Sequence, residues 1–277
     1  AGVNLAREAD LPVAVRGGGH NAAGLGTCDD GVVLDLGQMN GVRVDPGTGR
    51  VRVAGGAVWG DVDHATQPFG LAVPAGIIST TGVGGLTLGG GFGHLSRAYG
   101  LTCDNLISAD VVTADGNIVL ADANHHPDLF WALRGGGGNF GAVTSFEFQG
   151  RPVNMVYGGL LAYPTDKAEE LMKLYREFIV DAPRELGLFF GYTMAPPAPF
   201  VPEQFHFHPI AKIVFCYNGD EATAKKLVAP FYEVGVALDL TGTMPIASLN
   251  SMFDALFPPG LQDYWKADYD LEVSDAA

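Results

Sequence analysis

The sequence is poor in cysteine. Only Cys28, Cys103 and Cys216 occur in 277 residues, and no C-x-x-C is present. An odd, sparse set gives no disulfide framework, so a reducing, cytoplasmic compartment is the expectation. Basic charge is scarce too: 16 Lys and Arg stand against 31 Asp and Glu, a formal net charge of -15. A nucleic-acid binder needs a basic face that displaces counterions. Nucleic acid and anionic membranes are therefore excluded as partners. No apolar run reaches the length needed to cross a bilayer, and no G-x-x-x-x-G-K-[ST] is found, which excludes a P-loop nucleotide site. Charged residues make up 17% of the chain and hydrophobic ones 47%, the balance of a globular protein with a sizeable core.

Glycine is abundant, with 39 residues gathered largely in runs. Such runs cost backbone entropy and mark places where main chain must approach something closely. Around them the pattern predicts a helix ending near residue 10 and strands at 11–16, 31–36, 42–44, 50–54 and 71–73. Helix 58–66 follows, with strands 109–113 and 117–121 joined by Ala114-Asp115-Gly116, then helix 128–134 and strand 143–149. Near Arg151-Pro152 the texture changes and the elements lengthen. Strands are predicted at 154–163, 186–194 and 210–217, and helices at 165–180, with Thr165 as N-cap, and 221–232. A domain boundary is placed near residue 150.

The first glycine run, Arg16-Gly17-Gly18-Gly19-His20-Asn21, ends a strand. Successive glycines let several N–H groups converge on one anion, and a diphosphate is the natural guest. Backbone amides need no basic side chains, so a dinucleotide is compatible with the acidic composition. The alternative is a plain turn with a satisfied histidine. Gly136-Gly137-Gly138-Asn139-Phe140-Gly141 fits G-x-G-x-x-G, but it follows a helix and leads into a strand. A Rossmann fingerprint requires the reverse order.

The order of motifs is more specific than any of them. RGGGHN, VVLDL, VRVAGGAVWGDV, GVGGLTLGGGFG, AYGLTCDN and DLFWALRGGGGNFGAVTSFEF follow one another. This order resembles the vanillyl-alcohol-oxidase, or p-cresol-methylhydroxylase-type, FAD family, and within it the berberine-bridge-like branch and its bacterial relatives. The resemblance is strong over residues 1 to about 150 and looser beyond, where FPPGLQDYWK at 257–266 resembles the bacterial substrate domain. It implies an α+β fold: a two-subdomain FAD-binding domain at 1–150, then an antiparallel sheet with helices at 151–277 as substrate domain. It also implies that both ends lack a piece.

By the same resemblance, Arg16 to Asn21 and Gly24 wrap the FAD diphosphate, and His20 carries the flavin covalently through its 8α-methyl group. Ala75, Gly76, Thr80, Thr81, Gly82, Gly84 and Gly85 face the flavin, Asp104 and Asn105 turn back beneath it, and Gly141 and Val143 approach the adenine end. Ile78 stands where some relatives carry a second covalent link through cysteine. Thr81 takes the place of the residue gating oxygen access. The implied activity is hydride transfer from an alcohol, amine or sugar to flavin N5, with O₂ as acceptor giving H₂O₂. A dehydrogenase with another acceptor, or a catalytically incomplete flavin module, are the alternatives. Tyr192, Tyr264 and Lys266 are weaker candidates for a small-molecule substrate pocket. His206-x-His208 alternates like same-face strand residues but lacks a third metal ligand; no metal is expected. Cys103 reads as a small buried residue.

Overall fold

Strict alternation builds the first sheet. In the computed structural model, which describes residues 1–258, 260 and 264–267, the chain divides into two units. The first comprises Ala1–Asn154 with the described residues of Ile246–Trp265, the second Met155–Pro245 with the described residues of Lys266–Ala277. The first unit opens with α1 (Gly2–Glu8), then β1 (Val13–Arg16) and β2 (Val32–Asp35), which pair in parallel. The strands β3 (Val42–Asp45) and β4 (Arg50–Ala54) form the expected hairpin, and the helix α2 (Trp59–Thr66) follows. After α3 (Val83–Leu88) and α4 (Ser96–Tyr99) come β5 (Leu106–Val112), β6 (Ile118–Asp122), α5 (Pro127–Leu133) and β7 (Ala142–Gln149).

The larger sheet of this unit has the order β3-β4-β7-β5-β6, and all its pairs are antiparallel. Val51 and Val53 of β4 and Phe146 and Phe148 of β7 are fully buried, and Trp59 of α2 lies 5.8 Å from the Phe148 ring. The intervening residues face out. There Arg50 pairs with Glu147 at 2.9 Å and Arg52 with Asp110. A period of two thus serves core and surface in one strand. Gly136 follows α5 and precedes β7, as a non-Rossmann glycine run should.

The second unit holds β8 (Met155–Pro164), α6 (Ala168–Asp181), β9 (Leu186–Met194), β10 (Pro209–Tyr217), α7 (Glu221–Glu233), β11 (Leu238–Asp239) and β12 (Gly242–Pro245). Its antiparallel sheet runs β11-β8-β10-β9, with β12 also paired to β8. Leu161, Ile213 and Phe215 pack with Leu171 of α6 and Val228 and Phe231 of α7. Asp220 caps α7 by accepting from Thr223 N at 2.9 Å. A last helix, α8 (Ile246–Asn250), returns the chain to the first unit.

Three local expectations change. Residues 71–73 make only a single bridge, Ala72 to Arg151, because Pro74 follows at once and cannot donate to a ladder. Thr165 does not cap a helix: α6 starts at Ala168 after a 3₁₀ turn, and the Thr165 hydroxyl donates to Pro209 O instead. His206 and His208 lie in a turn before β10, not on a strand, and His206 Nε2 bonds Val201 O at 2.9 Å. No group of three metal-ligating side chains occurs among the described residues.

Candidate functional site

Beyond Arg16 the main chain leaves the β1–β2 pair and has no ladder to join. Among the described residues, none of the backbone N–H groups of Gly17, Gly18, Gly19, His20 and Asn21 donates a hydrogen bond within the chain. Five consecutive donors are thus left to an outside acceptor. Gly19 has φ +73°, a conformation in which a side chain is strained. The Asn21 side chain accepts from Leu25 N at 3.0 Å and closes the following turn. Arg16, Gly19, Asn21, Gly24, Gly26 and Thr27 line a small hollow of about 150 Å³.

A second segment lies directly against this loop. A Cβ on Gly18 would sit 2.4 Å from Gly82 N, and one on Gly82 would sit 2.3 Å from Gly18 N. Only backbone fits between them. One step back, His20 Nε2 is 3.0 Å from Thr80 Oγ1. Thr81 O accepts from Trp59 N at 3.0 Å, and Ser79 O from Gly60 N at 2.8 Å, so the segment is stitched to the start of α2. A Cβ on Gly84 would lie 3.4 Å from Gly55 O and 3.6 Å from the Phe146 ring. Ala75 and Gly76 are buried just before this segment.

The remaining expected residues lie elsewhere in the first unit. Asp104 accepts from Leu101 N at 2.9 Å and pairs with Arg134 at 3.3 Å. Asn105 donates to Tyr99 O and Leu101 O, and accepts from Arg151 Nε at 2.8 Å. Gly141, at φ +141°, and buried Val143 begin β7. A larger hollow, about 520 Å³, opens beside the β5–β6 hairpin. It contains none of the expected residues, and its Thr113, Asp115 and Asn117 side chains bond one another to close the turn.

A family model described as an FAD binding domain matches residues 1–122. An FAD-linked oxidoreductase of Dictyostelium discoideum is 36% identical over 277 residues, covering 99% of this chain and 58% of that protein. The crystal structure of 6-hydroxy-D-nicotine oxidase from Arthrobacter nicotinovorans superposes with a TM-score of 0.83 at 28% identity, covering 94% of this chain and 56% of that one. These matches are consistent with the vanillyl-alcohol-oxidase, or p-cresol-methylhydroxylase-type, family of FAD-linked oxidoreductases that the order of motifs resembles. A glucooligosaccharide oxidase of Acremonium strictum, whose FAD is 6-S-cysteinyl and 8α-N1-histidyl, gives a TM-score of 0.76 at 25% identity, covering 95% of this chain and 54% of that one. The chain thus spans about half the length of the relatives it matches.

The residues present fit FAD. The five free amides of the first loop suit a diphosphate, since oriented N–H groups hold an anion without side-chain charge. Beside the backbone contact of Gly18 with Gly82, the His20 imidazole meets the Thr80 hydroxyl. Of the weaker candidates, Tyr192 lies on β9 of the second unit, 58% exposed, with its ring 5.2 Å from Phe190. Tyr264 is 90% exposed, and Lys266 is exposed. Among the described residues, the structure gives neither a hydrogen-bond partner.

Two contacts were not read from the sequence. Asp254, in a 3₁₀ turn after α8, accepts from Ser79 N at 2.8 Å and from the Ser79 hydroxyl. Buried Asn250 donates to buried Asp63 of α2 at 2.9 Å. Burial pushes the Asp63 carboxyl up to about 6, further raised by nearby Asp254 and opposed by the Asn250 hydrogen bond. No local pattern announces a pair 187 residues apart.

Proposed function

We propose that this chain supplies the FAD-binding unit and part of the substrate unit of an oxidase acting on a small alcohol, amine or sugar. The division follows the two units: Ala1–Asn154 holds the cofactor, and the antiparallel sheet of Met155–Pro245 faces the substrate. The row of free amides from Gly17 to Asn21 carries the reading. Those amides take the diphosphate, Gly24 continues the cradle, and His20 forms one covalent tether. Ile78 offers no thiol for a second link. Gly82, Gly84 and Gly85 let main chain lie beside the flavin, and Thr81 borders the face that meets oxygen. When bound, FAD supplies the two-electron chemistry, taking hydride from a substrate C–H at N5 and passing the electrons to O₂ to give H₂O₂.

The whole protein carrying this chain, screened against alcohols, amines and oligosaccharides in an oxygen electrode, should consume O₂ and release an equal amount of H₂O₂ with at least one class. Turnover supported by an artificial electron acceptor but not by O₂ would make it a dehydrogenase. A flavin-loaded protein inert to every class under both conditions would leave it a binding module.

A further inference from the structure

His20 has two ring nitrogens, and the structure treats them differently. Nε2 is 3.0 Å from the Thr80 hydroxyl, whereas Nδ1 hydrogen-bonds nothing among the described residues. We propose that Thr80 is a positioning residue for covalent flavin attachment: it engages Nε2 and so directs the bond to Nδ1. The proposal rests on the reading that His20 carries the flavin.

Three observations support the assignment. The contact is set by backbone, because Gly18 and Gly82 touch main chain to main chain and hold residues 18–20 and 80–82 in one register. The Thr80 side of the contact is anchored separately. Its neighbour Ser79 is held through backbone N–H and hydroxyl by Asp254, and Ser79 O accepts from Gly60 N. His20 itself is exposed on the rim of the amide cradle, where an imidazole can meet a bound ring. The hydrogen bond made by one ring nitrogen decides which nitrogen carries the proton. The Thr80 hydroxyl can accept from Nε2–H or donate to Nε2; in the first arrangement, the one proposed for attachment, the lone pair at Nδ1 is available as nucleophile.

The step balances as follows. A C–H bond of the flavin 8α-methyl breaks and the Nδ1–C8α bond forms. The electron pair of the broken bond passes into the flavin ring system. The methyl proton and the imidazole proton end on the reduced flavin, so no atom leaves at this stage. Dioxygen then removes two electrons and two protons and becomes hydrogen peroxide, which leaves the tethered flavin oxidised.

The test uses the whole protein, produced without flavin and then given FAD. Covalent flavin is followed as fluorescence that survives acid denaturation, and the linked nitrogen is assigned by NMR of the flavin peptide. Wild type should link through Nδ1. Thr80→Ser should retain both the rate and the site. Thr80→Val, which keeps shape but loses the hydroxyl, should link at least about tenfold more slowly, the lower end of what losing a histidine's orienting partner costs. Its stability to urea, compared between the His20→Ala and His20→Ala/Thr80→Val proteins, should be unchanged, which separates positioning from folding. Linkage through Nε2 in wild type, or a wild-type rate in Thr80→Val, overturns the role of Thr80 and leaves the His20 attachment standing. Acid-released flavin in wild type overturns the attachment itself.

Discussion

Thr81 follows the hydroxyl that engages His20, and it is fixed at both backbone ends. Its N–H donates to Ile78 O at 3.3 Å and its carbonyl accepts from Trp59 N. The side chain is only partly buried, so a larger residue adds bulk on the open side without breaking these bonds. Thr has nearly the volume of Val but carries a hydroxyl, which makes a slightly polar wall. If this wall admits oxygen, Thr81→Leu should slow reoxidation of the reduced flavin by about tenfold, roughly 1.4 kcal/mol in barrier. Reduction by substrate should change much less. Stopped-flow measurement of the two half-reactions checks this, and equal slowing of both removes Thr81 from the oxygen path. At this scale the glycine run of the candidate site was legible. Gly17 to Gly19 and His20 announce themselves because a row of free amides needs glycine and a strand end. Asp254 did not: a carboxylate 175 residues from Ser79 reads like any surface acid until the chain is folded.

The elements show why legibility varies. Strands β3, β4 and β7 were readable because one face is buried and the other solvated, so alternation is clean. The expected strand Leu186–Met194 matches β9 in both bounds. Helix α3 was hidden, because its sequence VGGLTL lies inside the densest glycine stretch and glycine is a poor helix former. Tertiary contact overrides that propensity, with Val83, Gly84, Thr87 and Leu88 of the helix buried. The segments β11, β12 and α8 are short and carry little periodicity. The two-segment cradle also gives an element-scale expectation. Gly82→Ala puts a methyl 2.3 Å from Gly18 N, a clash with backbone that only separation of the segments relieves. It should lower stability by about 1–3 kcal/mol, the usual cost of overpacking, and abolish covalent flavin incorporation. Gly41→Ala, outside the site and where a Cβ meets nothing within 4 Å, should leave incorporation near wild type. Urea unfolding and acid-stable fluorescence measure both. Equal incorporation in the two variants would refute the close approach as a requirement.

Across the whole molecule, two buried titratable groups of the first unit set opposing responses to pH. Burial raises Asp63 to about 6 from an ordinary 3.8, so in this interval the folded chain holds a proton that the unfolded chain has lost. Its contribution therefore falls as pH rises from about 4 to 6, by about 3 kcal/mol at 1.36 kcal/mol per pH unit. Burial lowers His94 to about 4 from 6.5, so between these values the unfolded chain holds the extra proton. Its contribution rises with pH over nearly the same interval, again by about 3 kcal/mol. The two slopes nearly cancel in the wild type, and single substitutions should separate them. Asp63→Asn keeps an oxygen that can accept from Asn250. Relative to this variant, wild type should lose stability on going from pH 4 to pH 6.5. Relative to His94→Gln, wild type should gain stability over the same range. Urea unfolding of the three proteins at half-unit intervals of pH gives both differences, in which the exposed carboxylates common to all three drop out. Difference profiles of the same sign, or flat ones, would show that Asp63 and His94 do not stay buried in the protonation states that their surroundings impose.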